Sequence, residues 1–306
     1  MRDNRKSEMA ENKTTYTYKT VGDCEIKADA YRPASGGELA PVLVYIHGGA
    51  LIYGSRKHIN RRQLELYQAA GYVVVSIDYR LAPETKLPGL ISDLQDAFRW
   101  IHDSGRELFG GDVRRIGVVG HSAGGYLTLM SGFCVAPRPK ALVAFYGYGD
   151  IVGDWYSKPD PFYCQQPRVS EAESGRFVEG PVISEPYAGR GKDKFYLYCR
   201  QNGLWPQEVG GQNPESNPAF FIPYCPVKNV TDEYPPTMLL HGNKDTDVPY
   251  EQSVLMAATL KERGVQHRFV TIKKGGHGFD GNMDSPLVQD TFRHVVDFLD
   301  AHLGRP

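Results

Sequence analysis

The sequence predicts an α/β fold: one doubly wound, mostly parallel sheet with helices on both faces. Three observations predict it. Short continuous apolar runs recur along the chain, as suits strands buried on both sides. Stretches with apolar residues at helical spacing alternate with them, the order of parallel strands joined by crossover helices. The composition, 41% hydrophobic and 23% charged over 306 residues, supplies a large core and argues against wholesale disorder.

Residues 1–14 read as a disordered polar lead-in without the apolar centre of a signal peptide. Residues 15–20 and 24–31 alternate like half-buried strands around a turn at Gly22 and Asp23, so a hairpin opens the fold. The runs 41–46 and 72–77 are buried strands, separated by a helical pattern through Leu64, Leu66, Tyr67 and Ala70. Behind Pro88, a helix follows through Leu90, Ile91, Leu94, Ala97, Phe98 and Ile101. Residues 115–119 form a strand that runs into a glycine-rich turn and another apolar helix. Residues 140–145, 237–240 and 267–272 add three strands, and 287–303 closes the chain as a helix. Functional loops are expected at the carboxyl ends of the strands.

Residues 148–232 interrupt this alternation. They hold ten of the twenty-one prolines and many aromatics, with few clean periodic segments, and read as a cap or lid inserted after the sixth strand. The core is then 15–147 together with 233–306. Aromatics of the insertion such as Trp155, Tyr156, Tyr196 and Trp205 either line a substrate pocket or form the insertion's own small core.

Thirty-five basic against thirty-six acidic residues leave a net charge of −1, so no global positive field exists for nucleic acid or an anionic membrane. No apolar run approaches the length of a spanning helix, and a cytoplasmic location without membrane insertion is expected. Cys24, Cys134, Cys164, Cys199 and Cys225 are odd in number and scattered, which points to neither a disulfide framework nor a zinc site.

The chemistry starts at Gly120-His121-Ser122-Ala123-Gly124-Gly125, a G-x-S-x-G sequence after a strand and before a helix. A sharp turn there strains the serine and exposes its oxygen, and only tiny neighbours let strand and helix approach. The positive end of the helix favours developing negative charge beside it. Ser122 at its ordinary pKa needs a base, and the base needs an orienting carboxylate. Two downstream strands run into loops bearing candidates, Asp245 with Asp247 in reserve, and His277. His267 lies in a strand, and His294 and His302 in the last helix, so His277 is the base by exclusion. The oxyanion needs backbone donors, which Ala123 and the loop Gly48-Gly49-Ala50 after the first parallel strand supply.

These motifs, with Asp78-Tyr-Arg-Leu-Ala-Pro-Glu84 and the order His47 to Gly278, resemble the α/β-hydrolase superfamily, and within it the esterases similar to hormone-sensitive lipase. The resemblance implies a triad of Ser122, Asp245 and His277, an oxyanion hole of Gly48, Gly49, Ala50 and Ala123, and a bracing role for residues 78–84. Two departures stand out. Ala50 replaces the family's usual glycine, and the lid is rich in proline and aromatics where the family's is helical. Taken alone, Asp78 and Arg80 read as an internally paired loop.

The expected function is two-step hydrolysis of a carboxylic ester, with a small-molecule ester as partner and no metal or organic cofactor. An amidase, formamidase or small peptidase would use the same triad. A ligand-binding protein on the same scaffold is the alternative of another class. Edge strands and the final helix are candidate surfaces for a homodimer.

Overall fold

The structure, a computed structural model, describes residues 13–33, 39–175, 180–186 and 192–304. Most of the expected lead-in lies outside them, but Lys13 and Thr14 belong to the first strand. Strand β1 (Lys13–Val21) turns at Gly22 and pairs antiparallel with β2 (Cys24–Tyr31). Strand β2 in turn lies antiparallel to β4 (Val73–Ile77). Strands β4, β3 (Ala40–Ile46), β5 (Gly111–His121), β6 (Ala141–Phe145), β7 (Thr237–Gly242) and β8 (His267–Ile272) are parallel neighbours in that order. The eight-stranded sheet therefore runs β1-β2-β4-β3-β5-β6-β7-β8.

The strand order reverses at β3. The chain moves from β3 outward to β4, then returns to place β5 on the other side of β3. Loops leaving β3 and β5 diverge at such a switch point and leave a crevice at the carboxyl ends of the strands, where open α/β sheets bind ligands. The sequence places His47-Gly-Gly-Ala50 on one of these loops and Ser122 on the other.

Alternation along β3 explains the two layers of core. Val42, Val44 and Ile46 face helices α2 (Leu87–Phe109) and α3 (Ala123–Cys134), while Leu43 and Tyr45 face the layer that holds α1 (Arg61–Ala69). The periodic residues Leu90, Leu94, Phe98 and Ile101 of α2 are buried in the first layer. Phe292, Val295 and Leu299 of the final helix α6 (Pro286–Leu303) are buried in the second. Helix α2 extends the sequence expectation at both ends, because Pro88 sits in its first turn and Gly110 ends it in the left-handed conformation.

The stretch between β6 and β7 departs from expectation. Short helices at Asp154–Ser157 and Glu171–Ser174 lead to α4 (Lys192–Asn202), followed by Trp205–Gly210, Pro218–Phe221 and Pro226–Asn229. Pro206, Pro218 and Pro226 occupy first turns, where a missing N–H costs nothing, so they start helices instead of breaking them. Helix α5 (Glu251–Glu262) was also not foreseen. It exposes Val254 and Leu255 and buries Gln252 and Ser253, which blurs the helical pattern of apolar residues. Among the described residues no helix is long and apolar enough to cross a membrane.

Helix α3 sits unusually close to the sheet. A Cβ on Gly124 would lie 2.0 Å from the carbonyl oxygen of Ile46, and one on Gly120 would lie 2.2 Å from that of Gly124. Backbone cannot yield cheaply on either side. Gly124→Ala is therefore expected to lower stability by about 1–3 kcal/mol through overpacking, read as a lower denaturation midpoint in urea.

Candidate active site

Ser122 occupies the junction between β5 and α3, with φ 57° and ψ −119°. This backbone conformation is rarely adopted by a non-glycine residue and persists only where its surroundings over-determine it. Ser122 N donates to Phe145 O at the end of β6 (2.9 Å), and Ser122 O accepts from Tyr126 N (2.9 Å). The strain is held by these bonds and by the tight packing of α3.

The loop after β3 lies against the serine: a Cβ on Gly48 would be 3.3 Å from Ser122 Cβ. Its turn is tight, with Gly49, Ala50 and Leu51 all at positive φ, and Gly49 O accepts from Ile52 N (2.8 Å) and Tyr53 N (2.9 Å). Trp205 Nε1 donates to Ala50 O (3.0 Å) from the stretch between β6 and β7. The ring of Tyr79 stacks on His47 with centroids 4.3 Å apart. Gly48 thus lies against Ser122, with Gly49 and Ala50 following it in the same turn, and Ala123 follows the serine at the start of α3.

Asp245 and His277 leave the ends of β7 and β8 and meet. Asp245 has no solvent-exposed side-chain surface, and its Oδ2 accepts from His277 Nδ1 at 2.8 Å. His241 Nε2 lies 3.3 Å from the same oxygen, while Oδ1 accepts from the backbone N–H groups of Asp247 (2.9 Å) and Val248 (3.0 Å). Burial pushes the Asp245 carboxyl up, but hydrogen bonds from His241 and His277, the His277 charge and the Asp247 amide hold it well below the usual carboxylate range. For His277, burial disfavours the charged ring. The bond to Asp245 and the charges of Asp247, Asp245 and Asp280 outweigh that, and its pKa rises above 6.5.

Ser122 and His277 are both at the carboxyl edge of the sheet, yet among the described residues no hydrogen bond joins them. The ring Nε2 faces Asp247 Oδ2 at 3.4 Å. Asp247, the reserve candidate for the orienting acid, therefore contacts the opposite side of the imidazole from Asp245.

Two supporting networks escaped sequence reasoning. Tyr146, at φ 36°, packs its ring 4.5 Å from that of His277 and donates its hydroxyl to Asp280 Oδ1 (2.5 Å). Asp280 also accepts from Gln63 Nε2 (2.7 Å) and lies 3.1 Å from His121 Nε2. Buried Arg200 donates from Nη1 to Asp247 Oδ1 (2.8 Å) and from Nη2 to Asp160 Oδ2 (2.6 Å). It lies over the rings of Tyr163, at 4.5 Å, and Tyr156, at 5.1 Å. Tyr156 itself stacks on Trp205 at 4.1 Å, so these aromatics form a small core rather than loose walls.

Asp78 and Arg80 pair with other segments rather than with each other. Asp78 accepts from the backbone and guanidinium of Arg56, which also reaches Asp29 (3.1 Å), while Arg80 grips Asp93 with two bonds of 2.7 and 2.8 Å. These partners are distant in sequence, which is why local reading paired the wrong residues. Ala82 N donates to Leu51 O (2.8 Å), tying this loop to the turn beside Ser122.

A profile for the alpha/beta hydrolase fold matches residues 43–281. The chain belongs to this family. It is 29% identical to the esterase LipC of Mycobacterium tuberculosis over 87% of this chain and 60% of that protein. It is also 29% identical to the non-reducing polyketide synthase Preu3 of Preussia isomera, over 87% of this chain. The match spans only 12% of the synthase's length. The propionate-bound structure of a thermophilic esterase from Thermogutta terrifontis superposes with a TM-score of 0.68 and 22% identity, covering 96% of this chain and 95% of that one.

Arg200 is fully buried between two carboxylates. Removing the charge in Arg200→Met strands both, and the expected loss is about 3–5 kcal/mol of stability, measured by chemical denaturation.

Proposed function

We propose that this α/β hydrolase cleaves carboxylic esters through an acyl-enzyme on Ser122, with His277 as base and Asp245 as its orienting carboxylate. The observation that carries this is the 2.8 Å bond between a wholly buried carboxylate and His277 Nδ1 at the same edge of the sheet as a strained serine. A carboxylate only accepts, so Nδ1 carries the proton and Nε2 is left as the basic atom. The esterase names among its relatives support the substrate class.

The reaction follows from these parts. The ring carries Nε2 from Asp247 to the Ser122 hydroxyl as substrate binds, since catalytic bonds are often loose before then. Ser122 Oγ then attacks the ester carbonyl as His277 takes its proton. Backbone N–H groups from Gly48, Gly49, Ala50 and Ala123 receive the oxyanion. His277 hands the proton to the departing alcohol, and water repeats the sequence on the acyl-enzyme. Asp245 stabilises the imidazolium in both halves.

Ser122→Ala is expected to lower kcat on 4-nitrophenyl acetate by about a millionfold if the three residues act as a unit. A rate within tenfold of wild type would exclude the mechanism, and a panel pairing anilides with esters separates amide from ester preference.

The pH profile has a definite sign. Protonated His277 cannot accept the serine proton, and its pKa is raised above 6.5. The acid limb of kcat/KM should therefore lie above 6.5, with activity falling as pH drops through it. A limb below 6.5 would contradict the arrangement of carboxylates around the ring.

A further inference from the structure

We propose that Asp247 determines substrate specificity, its Oδ2 accepting a hydrogen bond from a donor or cation carried by the departing alcohol. The assignment rests on the ester-hydrolase reading above and names the class of alcohol it favours: amino alcohols.

Asp247 is built in place. Its Oδ1 accepts from the hydroxyls of Tyr163 (2.8 Å) and Tyr196 (2.6 Å) and from Arg200 Nη1 (2.8 Å). Arg200 is in turn fixed by Asp160 and by the aromatic rings it lies over. Three donors on one oxygen orient the other. Among the described residues the polar contact of Oδ2 is His277 Nε2, at 3.4 Å.

That contact suits the protonated ring, whose Nε2–H donates to Oδ2, and not the neutral base. With its proton on Nδ1, the neutral ring turns a lone pair toward a carboxylate oxygen, and two acceptors face each other. A donor entering between or beside them relieves this.

The location defines what the donor belongs to. His277 Nε2 is the atom that protonates the departing oxygen, so that oxygen comes within about 2.6–3.2 Å of it. As Nε2 swings to Ser122 it leaves Oδ2, which its three donors keep in place beside the atoms that follow the departing oxygen. An ammonium or hydroxyl on the second or third atom of the alcohol reaches it.

Charge points the same way. One guanidinium faces two carboxylates, Asp247 and Asp160, so the cluster is net negative beside the departing group. A cationic alcohol is attracted there, and an alcohol bearing a carboxylate is repelled. In acylation the ester C–O bond breaks and the Ser122 Oγ–acyl bond forms. The serine proton passes through Nε2 to the departing oxygen, and the ammonium keeps its own proton while donating a hydrogen bond to Oδ2.

The test uses two esters of equal shape, 2-(dimethylamino)ethyl acetate, protonated at neutral pH, and 3-methylbutyl acetate. The ratio of their kcat/KM values is measured for wild type and for Asp247→Asn. Comparing ratios between enzymes cancels the intrinsic reactivity of the esters. The ratio should shift against the ammonium ester by about tenfold or more in the variant, and an unchanged ratio, whether or not both rates fall, overturns the proposal.

A measurement on wild type alone guards against a variant that does not fold. Free 2-(dimethylamino)ethanol should inhibit at roughly tenfold lower concentration than 3-methylbutanol, and equal inhibition would also overturn it. Hydrolysis of neither ester, nor of 4-nitrophenyl acetate, would instead remove the ester-hydrolase reading and this assignment with it.

Discussion

A single carboxylate with no access to water governs the arrangement at the carboxyl edge of the sheet. Asp245 carries a charge where water cannot solvate it, so each oxygen must be satisfied by the protein. Its Oδ1 takes two amides of its own loop, and its Oδ2 takes His277 and approaches His241. Those four donors leave the carboxylate one orientation, and the carboxylate leaves His277 one tautomer. The chemistry assigned to the ring follows from that constraint.

The opposite wall of the site is a geometric consequence of packing. Helix α3 approaches β3 so closely that no side chain fits at Gly124, and this approach forces the chain through the strained conformation at Ser122. The same crowding brings the loop after β3 against the serine. Tyr146 then links the two halves, since its backbone leaves β6, its ring covers His277 and its hydroxyl reaches Asp280. Burial pushes the Asp280 carboxyl up, but the charge and contact of His121, with bonds from Tyr146 and Gln63, hold it well below the usual range. With Asp245 and Asp247 it makes three carboxylates near the base.

Much of this was legible in the residues. All eight strands were readable, the first two as an alternating hairpin and the other six as short apolar runs between helical patterns, and errors were confined to their ends. The meeting of Asp245 and His277 was readable because each lies on a loop that leaves a strand, where few other residues compete. The pairing of Arg80 with Asp93 was not, since it joins a loop to a helix and has no local signature. The helices between β6 and β7 were hidden because proline reads as a breaker until its place in the first turn is known. Arg200 was invisible for a deeper reason: a lone basic residue in a sequence gives no sign that it is buried among tyrosines against two acids.

The central claim is that Ser122 is made nucleophilic by a base that Asp245 orients. Intact-mass analysis after treatment with diisopropyl fluorophosphate, followed by peptide mapping, tests it without choosing a substrate. The account predicts one diisopropylphosphoryl adduct per chain, on the peptide that holds Ser122, formed more slowly as pH falls and His277 becomes protonated. An unmodified chain at neutral pH, or an adduct on another residue with Ser122 untouched, would contradict it.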